Sequence, residues 1–276
     1  MQESGRCGRT QSPRKLGSAV VVRTEKLRKQ FGEFVSVDDV SFEIAPATIT
    51  GLIGPNGAGK TTLFNTITGF YPPTSGTVFL DDREITHFKP HELFRLGVLR
   101  TFQIAREFAS MSVRENLMMV PGGQHGEKIW NSWFSRSQIA REEARTRQRA
   151  DEVMEFLEIS HVADLPAGQL SGGQKKLLEL GRTMMTDARI VFLDEVGAGV
   201  NRTLLRRIGD AIIRLNQEQG YTFCLIEHDM AFVERLCDPV ICMAEGRILA
   251  QGTMQEIVNN EEVIQAYLGS REGTAK

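Results

Sequence analysis

The stretch Gly54-Pro55-Asn56-Gly57-Ala58-Gly59-Lys60-Thr61-Thr62 decides the fold of this chain. It has the spacing of a phosphate loop, in which a Gly and four further residues precede Gly-Lys and a Ser or Thr. The apolar residues 49–53 before it predict a buried strand, and residues 61–68 after it predict a helix that Gly69 ends. A Gly-rich turn before a core helix is the alternative interpretation. The strand–loop–helix context favours binding of a nucleoside triphosphate instead, because the glycines and the helix N-terminus aim N–H groups at a phosphate.

The residue types in this loop suit particular parts of such a ligand. Lys60 is expected to reach the β- and γ-phosphates, and the Thr61 hydroxyl is expected to take a place on Mg²⁺. The predicted nucleotide contacts in the loop are Asn56, Gly57, Ala58, Gly59, Lys60, Thr61 and Thr62.

Length and composition limit the class of protein. A chain of 276 residues is expected to form one domain or one and a half. Its formal net charge of -2 does not indicate a nucleic-acid partner, and its apolar runs are too short to span a bilayer. The four cysteines lack metal-ligand spacing, and three of them lie in apolar stretches, which predicts buried reduced thiols in a cytosolic protein: Cys7, Cys224, Cys237 and Cys242.

The two ends of the chain are predicted to lie outside the folded unit. Residues 1–18 are polar and Gly-rich and lack the apolar segment of a secretory signal, so we expect a disordered extension or a misplaced start. Residues 270–276 are interpreted as a C-terminal tail.

The segments before and just after the phosphate loop are predicted to form strands. Residues 19–23 and 40–44 predict strands, the second with an alternating face, and residues 77–80 predict another after a Pro-rich turn. Phe31, at the end of an early strand, could stack on a purine, since an aromatic ring offers flat apolar area. On the residues alone, a core or surface role for Phe31 is the stronger interpretation.

A helical block follows. Ser112 and Glu115 form a plausible capping box, and residues 138–157 predict a long amphipathic helix. We interpret about residues 104–168 as a helical subdomain inserted into the nucleotide-binding core. Gln103, just before this block, is on its own most simply a solvated polar side chain.

A second anion cradle is predicted at the next helix start, where Ser171, Gly172, Gly173 and Gln174 open a helix over 175–185. A hydroxyl, exposed N–H groups and the helix dipole would meet there. An ordinary capped helix start is the alternative.

Two adjacent carboxylates end a predicted buried parallel strand over 190–195. Asp194 is expected to hold Mg²⁺ through its water shell, and Glu195 to take a proton from attacking water. Strand side chains alternate in direction, so these two neighbours cannot do the same job. A third strand over 222–227 leads to His228, which taken alone is more often a structural histidine.

In their order along the chain, these motifs resemble those of ATP-binding-cassette (ABC) ATPases, over about Val20 to Gly269. The resemblance implies an α/β P-loop NTPase cassette over residues 19–269, with the inserted helical subdomain and an N-terminal antiparallel β subdomain. It implies Mg²⁺ and ATP as ligands and head-to-tail pairing with a second cassette, a copy or a paralogue. Ser171, Gly172 and Gly173 of one chain would then cap the γ-phosphate that the other chain holds.

The resemblance also implies roles for single residues. Glu195 matches the catalytic base, His228 the switch histidine, and Gln103 the residue that links Mg²⁺ to the membrane partner. Phe31 matches the adenine-stacking position, which reverses the interpretation made from the residue alone.

A narrower resemblance links the chain to importers of branched-chain amino acids. It rests on residues 100–103, on Ile226-Glu227-His228-Asp229-Met230 and on residues 263–269. Two positions depart from the usual cassette pattern, since Val196 stands where Pro is usual and Asn201 stands where many cassettes have Asp. Importers of urea and short amides share much of the pattern.

The expected function is therefore hydrolysis of ATP at the cytoplasmic face of the inner (plasma) membrane, peripherally bound. Transmembrane permease subunits would be direct partners, and a solute-binding protein an indirect one. A soluble cassette acting on DNA or ribosomes is less favoured, because neither a long coiled coil nor a second cassette is visible. A module that closes on ATP without hydrolysis is disfavoured by Glu195.

Overall fold

Two sheets and the helices packed on them make up the fold of residues 21–101, 107–121 and 136–272, the part of the chain that the computed structural model describes. The predicted extension over 1–18 and the site residue Gln103 lie outside these ranges. The strands are β1 Val22–Phe31, β2 Phe34–Ile44, β3 Ile49–Ile53, β4 Ser75–Leu80, β5 Arg83–Glu84, β6 Val98–Arg100, β7 Ile190–Asp194, β8 Thr222–Ile226, β9 Val240–Ala244 and β10 Arg247–Gly252.

The helices occupy the connections between these strands. They are α1 Lys60–Ile67, α2 Pro90–Arg95, α3 Val113–Met118, α4 Arg136–Phe156, α5 Gly172–Met184, α6 Arg202–Gln219, α7 Met230–Leu236, α8 Met254–Val258 and α9 Glu261–Glu272. Two short 3-10 helices, Ser160–Val162 and Ala167–Gln169, link α4 to α5. Within the described ranges, no helix combines the length and the apolar character needed to cross a membrane.

The first sheet is antiparallel, in the order β2-β1-β4-β5, and it forms the predicted N-terminal β subdomain. Its first two strands are much longer than the sequence predicted. They pair as one hairpin from Val22 opposite Ile44 to Phe31 opposite Phe34, with several irregularities in register. Cross-strand pairing stabilises the charged middle of this hairpin, where neither strand alone shows a clear alternating pattern.

The second sheet has the order β10-β9-β3-β8-β7-β6 and is parallel except for β10. Every residue of β3, β7, β8 and β9 is buried. A parallel sheet covered on both faces needs such continuous apolar strands, as the sequence indicated. The carboxyl ends of β3, β7 and β8 meet at one edge of the sheet, which is where ligands bind in open α/β folds.

Alternate residues of β7 show how the two faces of this sheet are covered. Ile190 and Phe192 belong to a core shared with the first sheet and α1. Val191 and Leu193 belong to a second core shared with α3, α4, α5 and α6. The phosphate loop and the helical block are thus packed on opposite faces of one central strand.

The helical block begins as predicted. Ser112 caps α3 through a capping box with Glu115, and α4 covers nearly the predicted range. Both helices pack against α5.

Three cysteines are buried and free of disulfides: Cys224, Cys237 and Cys242. Burial raises the pKa of the Cys237 thiol to about 12 and that of Cys242 to about 11. These thiols are therefore neutral core side chains, as the sequence predicted, whereas Cys7 lies outside the described residues.

Candidate nucleotide-binding and catalytic site

The phosphate loop leaves the central strand β3 and runs directly into α1. Gly54 and Gly59 have φ angles of 149° and 95°. A β-carbon on Gly54 would lie 2.1 Å from the Met243 carbonyl oxygen, and one on Gly59 would lie 2.2 Å from the carbonyl oxygen of Ser36. Only glycine fits at these two positions, so the motif is required by packing as well as by backbone conformation.

The remaining loop residues differ in how far they face solvent. Asn56, Gly57 and Thr61 are exposed, whereas Ala58 is buried. Thr62 is half-buried, and its hydroxyl accepts a 2.9 Å hydrogen bond from Ser36 Oγ. Thr62 therefore also ties α1 to strand β2.

Lys60 is the buried cation of the site, with 6% of its surface exposed. Its Nζ donates to the carbonyl oxygens of Gly54 at 2.7 Å and Pro55 at 3.0 Å. Burial lowers the pKa of Lys60, while the negative charges of Glu195 and Asp194 act in the opposite direction. The structure thus brings the loop lysine and the two carboxylates together.

Asp194 and Glu195 occupy different environments, although β7 ends at Asp194, so that strand alternation does not extend to Glu195 as the sequence predicted. Asp194 is 3% exposed, and its Oδ2 accepts a 2.8 Å hydrogen bond from the Arg100 guanidinium at the end of β6. Arg100 also donates to Asn65 Oδ1 on α1. A buried carboxylate is therefore linked to the phosphate-loop helix through an arginine that the sequence analysis did not single out.

Glu195 lies just past the end of β7, with its side chain about a quarter exposed. Its φ is 49°, a left-handed conformation for a residue with a side chain, and its amide donates to the Ile226 carbonyl at 3.0 Å. Glu195 Oε1 lies 3.1 Å from His228 Nε2. The structure therefore joins the predicted base to the predicted switch histidine, which lay in separate motifs of the sequence.

Phe31 ends β1 with 43% of its surface exposed, so it is not a core residue. Its ring stands nearly perpendicular to that of Tyr71, at an interplanar angle of 85° with 5.3 Å between ring centroids, and Lys29 Nζ lies 4.8 Å from the Phe31 centroid. Tyr71 was not among the predicted site residues, although the aromatic pair directly after Gly69 was a visible signal.

The second cradle is a capping box at the start of α5. Ser171 Oγ accepts from the Gln174 amide at 3.4 Å, and Gln174 Oε1 accepts from the Ser171 amide at 3.0 Å. Ser171 and Gly172 are exposed. Gly173 is buried, and a β-carbon there would lie 1.6 Å from Leu204 Cδ2. Gly173 thus has a packing role against α6 that the motif alone did not indicate.

The two cradles belong to different parts of the chain. The phosphate-loop helix α1 packs on β1 and β2, whereas α5 packs on α3, α4 and α6. The helix start at Ser171 is therefore built on the helical side of the molecule, and the loop at Lys60 on the β-subdomain side.

The stretch that precedes α3 presents an exposed aromatic ring on a fixed backbone. Phe108 is 46% exposed, and the buried Asn116 side chain accepts from its amide at 2.9 Å and donates to its carbonyl at 3.1 Å. Arg182 lies 5.7 Å from the centre of its ring. Gln103 lies outside the described residues.

Comparison with known proteins links this geometry to a family. The profile of the ABC transporter family matches residues 37–198. A second profile, of the branched-chain amino acid ATP-binding cassette transporter, matches residues 247–273.

Individual relatives match over most of their length. A probable branched-chain amino acid transport ATP-binding protein LivG from Archaeoglobus fulgidus is 39% identical over 252 residues, covering 91% of this chain and 96% of the relative. The high-affinity branched-chain amino acid transport ATP-binding protein LivG of Escherichia coli K12 is 37% identical over 243 residues, covering 88% of this chain and 95% of the relative.

Solved structures of ATP-binding cassettes also match this chain. A nucleotide-free ATP-binding cassette from an ABC transporter has a TM-score of 0.77 at 37% identity, covering 90% of this chain and 98% of that one. The ADP conformation of an ATP-binding cassette of an ABC transporter has a TM-score of 0.78 at 37% identity, covering 91% of this chain and 99% of that one.

Proposed function

This chain belongs to the ABC transporter family, and on that premise we propose that it is the ATPase subunit of an importer of branched-chain amino acids. Residues 19–269 would form the ATP-binding domain, with about residues 104–168 as its helical subdomain. Separate permease subunits would carry the solute, and this subunit would sit peripherally on the cytoplasmic face of the inner membrane. A solute-binding protein would take part indirectly.

The observation that carries the hydrolytic role is the meeting of Lys60, Asp194, Glu195 and His228 at one edge of the parallel sheet. Lys60 and the amides of the phosphate loop would bind the β- and γ-phosphates, and Phe31 would stack on adenine. The Glu195 carboxylate would accept a proton from the water that attacks the γ-phosphorus, since it is partly exposed and within reach of His228. His228 would hold that carboxylate in place.

The donor set near Lys60 suits Mg²⁺, which prefers hard oxygen ligands. Thr61 would offer its hydroxyl, Asp194 would act through its water shell, and Gln103 is proposed by resemblance. When bound, the ion supplies positive charge to the phosphate oxygens. Arg100 holds Asp194 in one orientation through a 2.8 Å hydrogen bond.

Ser171, Gly172, Gly173 and Gln174 would act on the nucleotide of a second cassette, a copy or a paralogue. Two features support this proposal. Ser171 and Gly172 are exposed, and their helix is built on the opposite side of the central sheet from α1. The second feature is the number of cradles, because a single nucleotide does not need two anion cradles from one chain.

The solute assignment rests on the importer-type C-terminal region and on the relatives' names. The test is solute uptake in cells of the source organism that lack this gene. Complementation with the wild-type gene is expected to restore uptake of labelled leucine, isoleucine and valine, and complementation with Lys60→Ala is not. Urea and acetamide uptake are measured in parallel, and their restoration without that of leucine would overturn the solute assignment.

A further inference from the structure

Glu227 is a buried carboxylate next to the site, and it has no role in the proposed hydrolysis. It follows β8 directly, and 4% of its surface is exposed. Its Oε1 accepts a 2.7 Å hydrogen bond from the Gly197 amide, and its Oε2 accepts a 3.2 Å hydrogen bond from the amide of His228. One carboxylate therefore joins the loop after β7 to the loop after β8.

Glu195 and His228, whose side chains contact each other, lie in these two loops. Gly197 is two positions after Glu195, and Glu195 Oε1 lies 3.1 Å from His228 Nε2. The Glu195 amide adds a third link, because it donates to the carbonyl of Ile226, the residue before Glu227. The relative position of Glu195 and His228 is thus set by one contact between their side chains and by two links through the backbone.

The fit around Glu227 is close. A β-carbon on Gly197 would lie 3.4 Å from both Glu227 carboxylate oxygens and 3.3 Å from Leu205 Cδ1. A side chain at position 197 would thus be in van der Waals contact with Glu227, so the loop after β7 packs directly against the carboxylate.

A buried carboxylate is an expensive way to join two loops. Its desolvation is unfavourable, and this is offset in part here by two hydrogen bonds to a charged acceptor. Burial raises the pKa of Glu227, with the amides of Gly197 and His228 acting against that rise. An apolar residue would avoid this desolvation but would leave the amides of Gly197 and His228 without this acceptor.

We propose that Glu227 is a positioning residue for ATP hydrolysis, which fixes Glu195 relative to His228 by binding the backbone amides of both loops. The inference rests on the proposed hydrolytic role of Glu195. It assigns Glu227 no contact with the nucleotide, so it predicts a loss of turnover without a loss of binding.

Glu227→Gln is the decisive variant because it keeps the volume and replaces one acceptor oxygen by an NH₂ group, which cannot accept from a backbone amide. A displaced base costs about 10- to 100-fold in rate. The purified full-length chain, or its pair with the natural paralogue, is therefore expected to lose about that much kcat, with the Kd for Mg-ATP changed by less than about twofold. Glu227→Asp keeps the charge but shortens the reach, and it is expected to lower kcat in the same way.

Glu227→Gln combined with Glu195→Gln distinguishes a positioning role of Glu227 from a general loss of structure at the site. If Glu227 acts through Glu195, the two effects do not multiply, and the double variant hydrolyses ATP no more slowly than Glu195→Gln alone. Thr50→Val is the matched control, a buried polar residue on the neighbouring strand β3 that is expected to leave kcat unchanged.

Three results would overturn the inference. They are a wild-type kcat in Glu227→Gln, a Kd that rises in step with the fall in kcat, and a full further loss in the double variant. If Glu227→Gln does not fold, a wild-type kcat in Glu227→Asp overturns it equally. Failure of the proposed function has a different signature, since the wild-type and Thr50→Val chains would then bind Mg-ATP without hydrolysing it.

Discussion

Arg100 and Asp194 form a buried ion pair with 2.8 Å between Nη2 and Oδ2, and their side chains are only 8% and 4% exposed. Arg100→Met would leave Asp194 buried without its counter-charge, which typically costs about 3–5 kcal/mol. We expect the free energy of unfolding to fall by that order in urea denaturation. Arg207→Met, which breaks an exposed pair with Glu158 at 3.8 Å, is the control and is expected to cost about 0–1 kcal/mol. Equal losses in the two variants would contradict the special role of Arg100.

Lys60→Ala is expected to weaken Mg-ATP binding and to abolish turnover while the fold survives. The reason is that Lys60 supplies the buried positive charge beside the loop carbonyls of Gly54 and Pro55. Equilibrium binding, ATP hydrolysis and circular dichroism measure the three properties. Lys89→Ala changes an exposed lysine and is expected to alter none of them. Full ATPase activity in Lys60→Ala would refute the assignment of this loop.

Glu195→Gln is expected to bind Mg-ATP normally, to hydrolyse it about 10²–10⁴-fold more slowly, and to accumulate as an ATP-bound pair of cassettes. The change keeps the side-chain volume but removes the proton acceptor. Phosphate release and gel filtration with and without Mg-ATP measure both effects, using the natural paralogue if the pair is mixed. Turnover at the wild-type rate would refute the general-base assignment.

Adding Ser171→Arg to Glu195→Gln is expected to abolish that pair while each chain still binds ATP. Ser171 also caps α5, so part of any effect could come from a lost helix cap. Thr253→Arg supplies the control, because Thr253 caps α8 through the same kind of capping box and lies in no proposed cradle. A pair that survives Ser171→Arg would argue against the head-to-tail arrangement.

By the resemblance to ABC ATPases, the segment that follows Gln103 would contact the permease, so Phe108→Ala is expected to uncouple uptake from ATP hydrolysis. Its ring is exposed while Asn116 fixes its backbone, so the substitution removes surface area without loosening the fold. Solute uptake is compared with ATPase activity in the membrane-bound transporter. Phe94→Ala, at an aromatic residue of similar exposure on α2, is expected to leave both unchanged. A parallel fall of uptake, hydrolysis and stability in Phe108→Ala would make Phe108 a structural residue.

Glu227 also makes stability depend on pH. Burial raises its pKa in the folded chain above the ordinary value of 4.5, so the folded state binds this proton more tightly than the unfolded state. The resulting contribution to stability is complete below pH 4.5 and is lost as the pH rises through the folded-state pKa. Glu227→Gln removes this titration, and its free energy of unfolding relative to wild type is expected to rise over that interval. A difference that does not vary with pH would contradict the buried environment of Glu227.

The features that sequence predicted best are those that a short local pattern specifies. The phosphate loop needs glycines at fixed spacing, and β7 is an apolar run that ends at Asp194 with Glu195 directly after it. The capping box at Ser112 is likewise contained in four residues, and it forms as predicted.

The features that sequence did not predict join residues far apart in the chain. Arg100 and Asp194 are separated by 94 positions, and Gly197 and Glu227 by 30. Such pairs are set by which strands lie side by side in the sheet, and no local pattern encodes that order. The full length of β1 and β2 was missed for the same reason, because pairing within the hairpin stabilises residues that show no strand pattern alone.

The left-handed backbone at Glu195 has a consequence for how this protein would evolve. A residue with a β-carbon is less stable in that conformation by about 1–2 kcal/mol, whereas glycine adopts it freely. The position that the proposed mechanism depends on most is thus one where stability alone would favour glycine. Directed evolution for heat resistance, run without selection for turnover, would therefore favour replacement of Glu195. ATP hydrolysis would then be the first property lost.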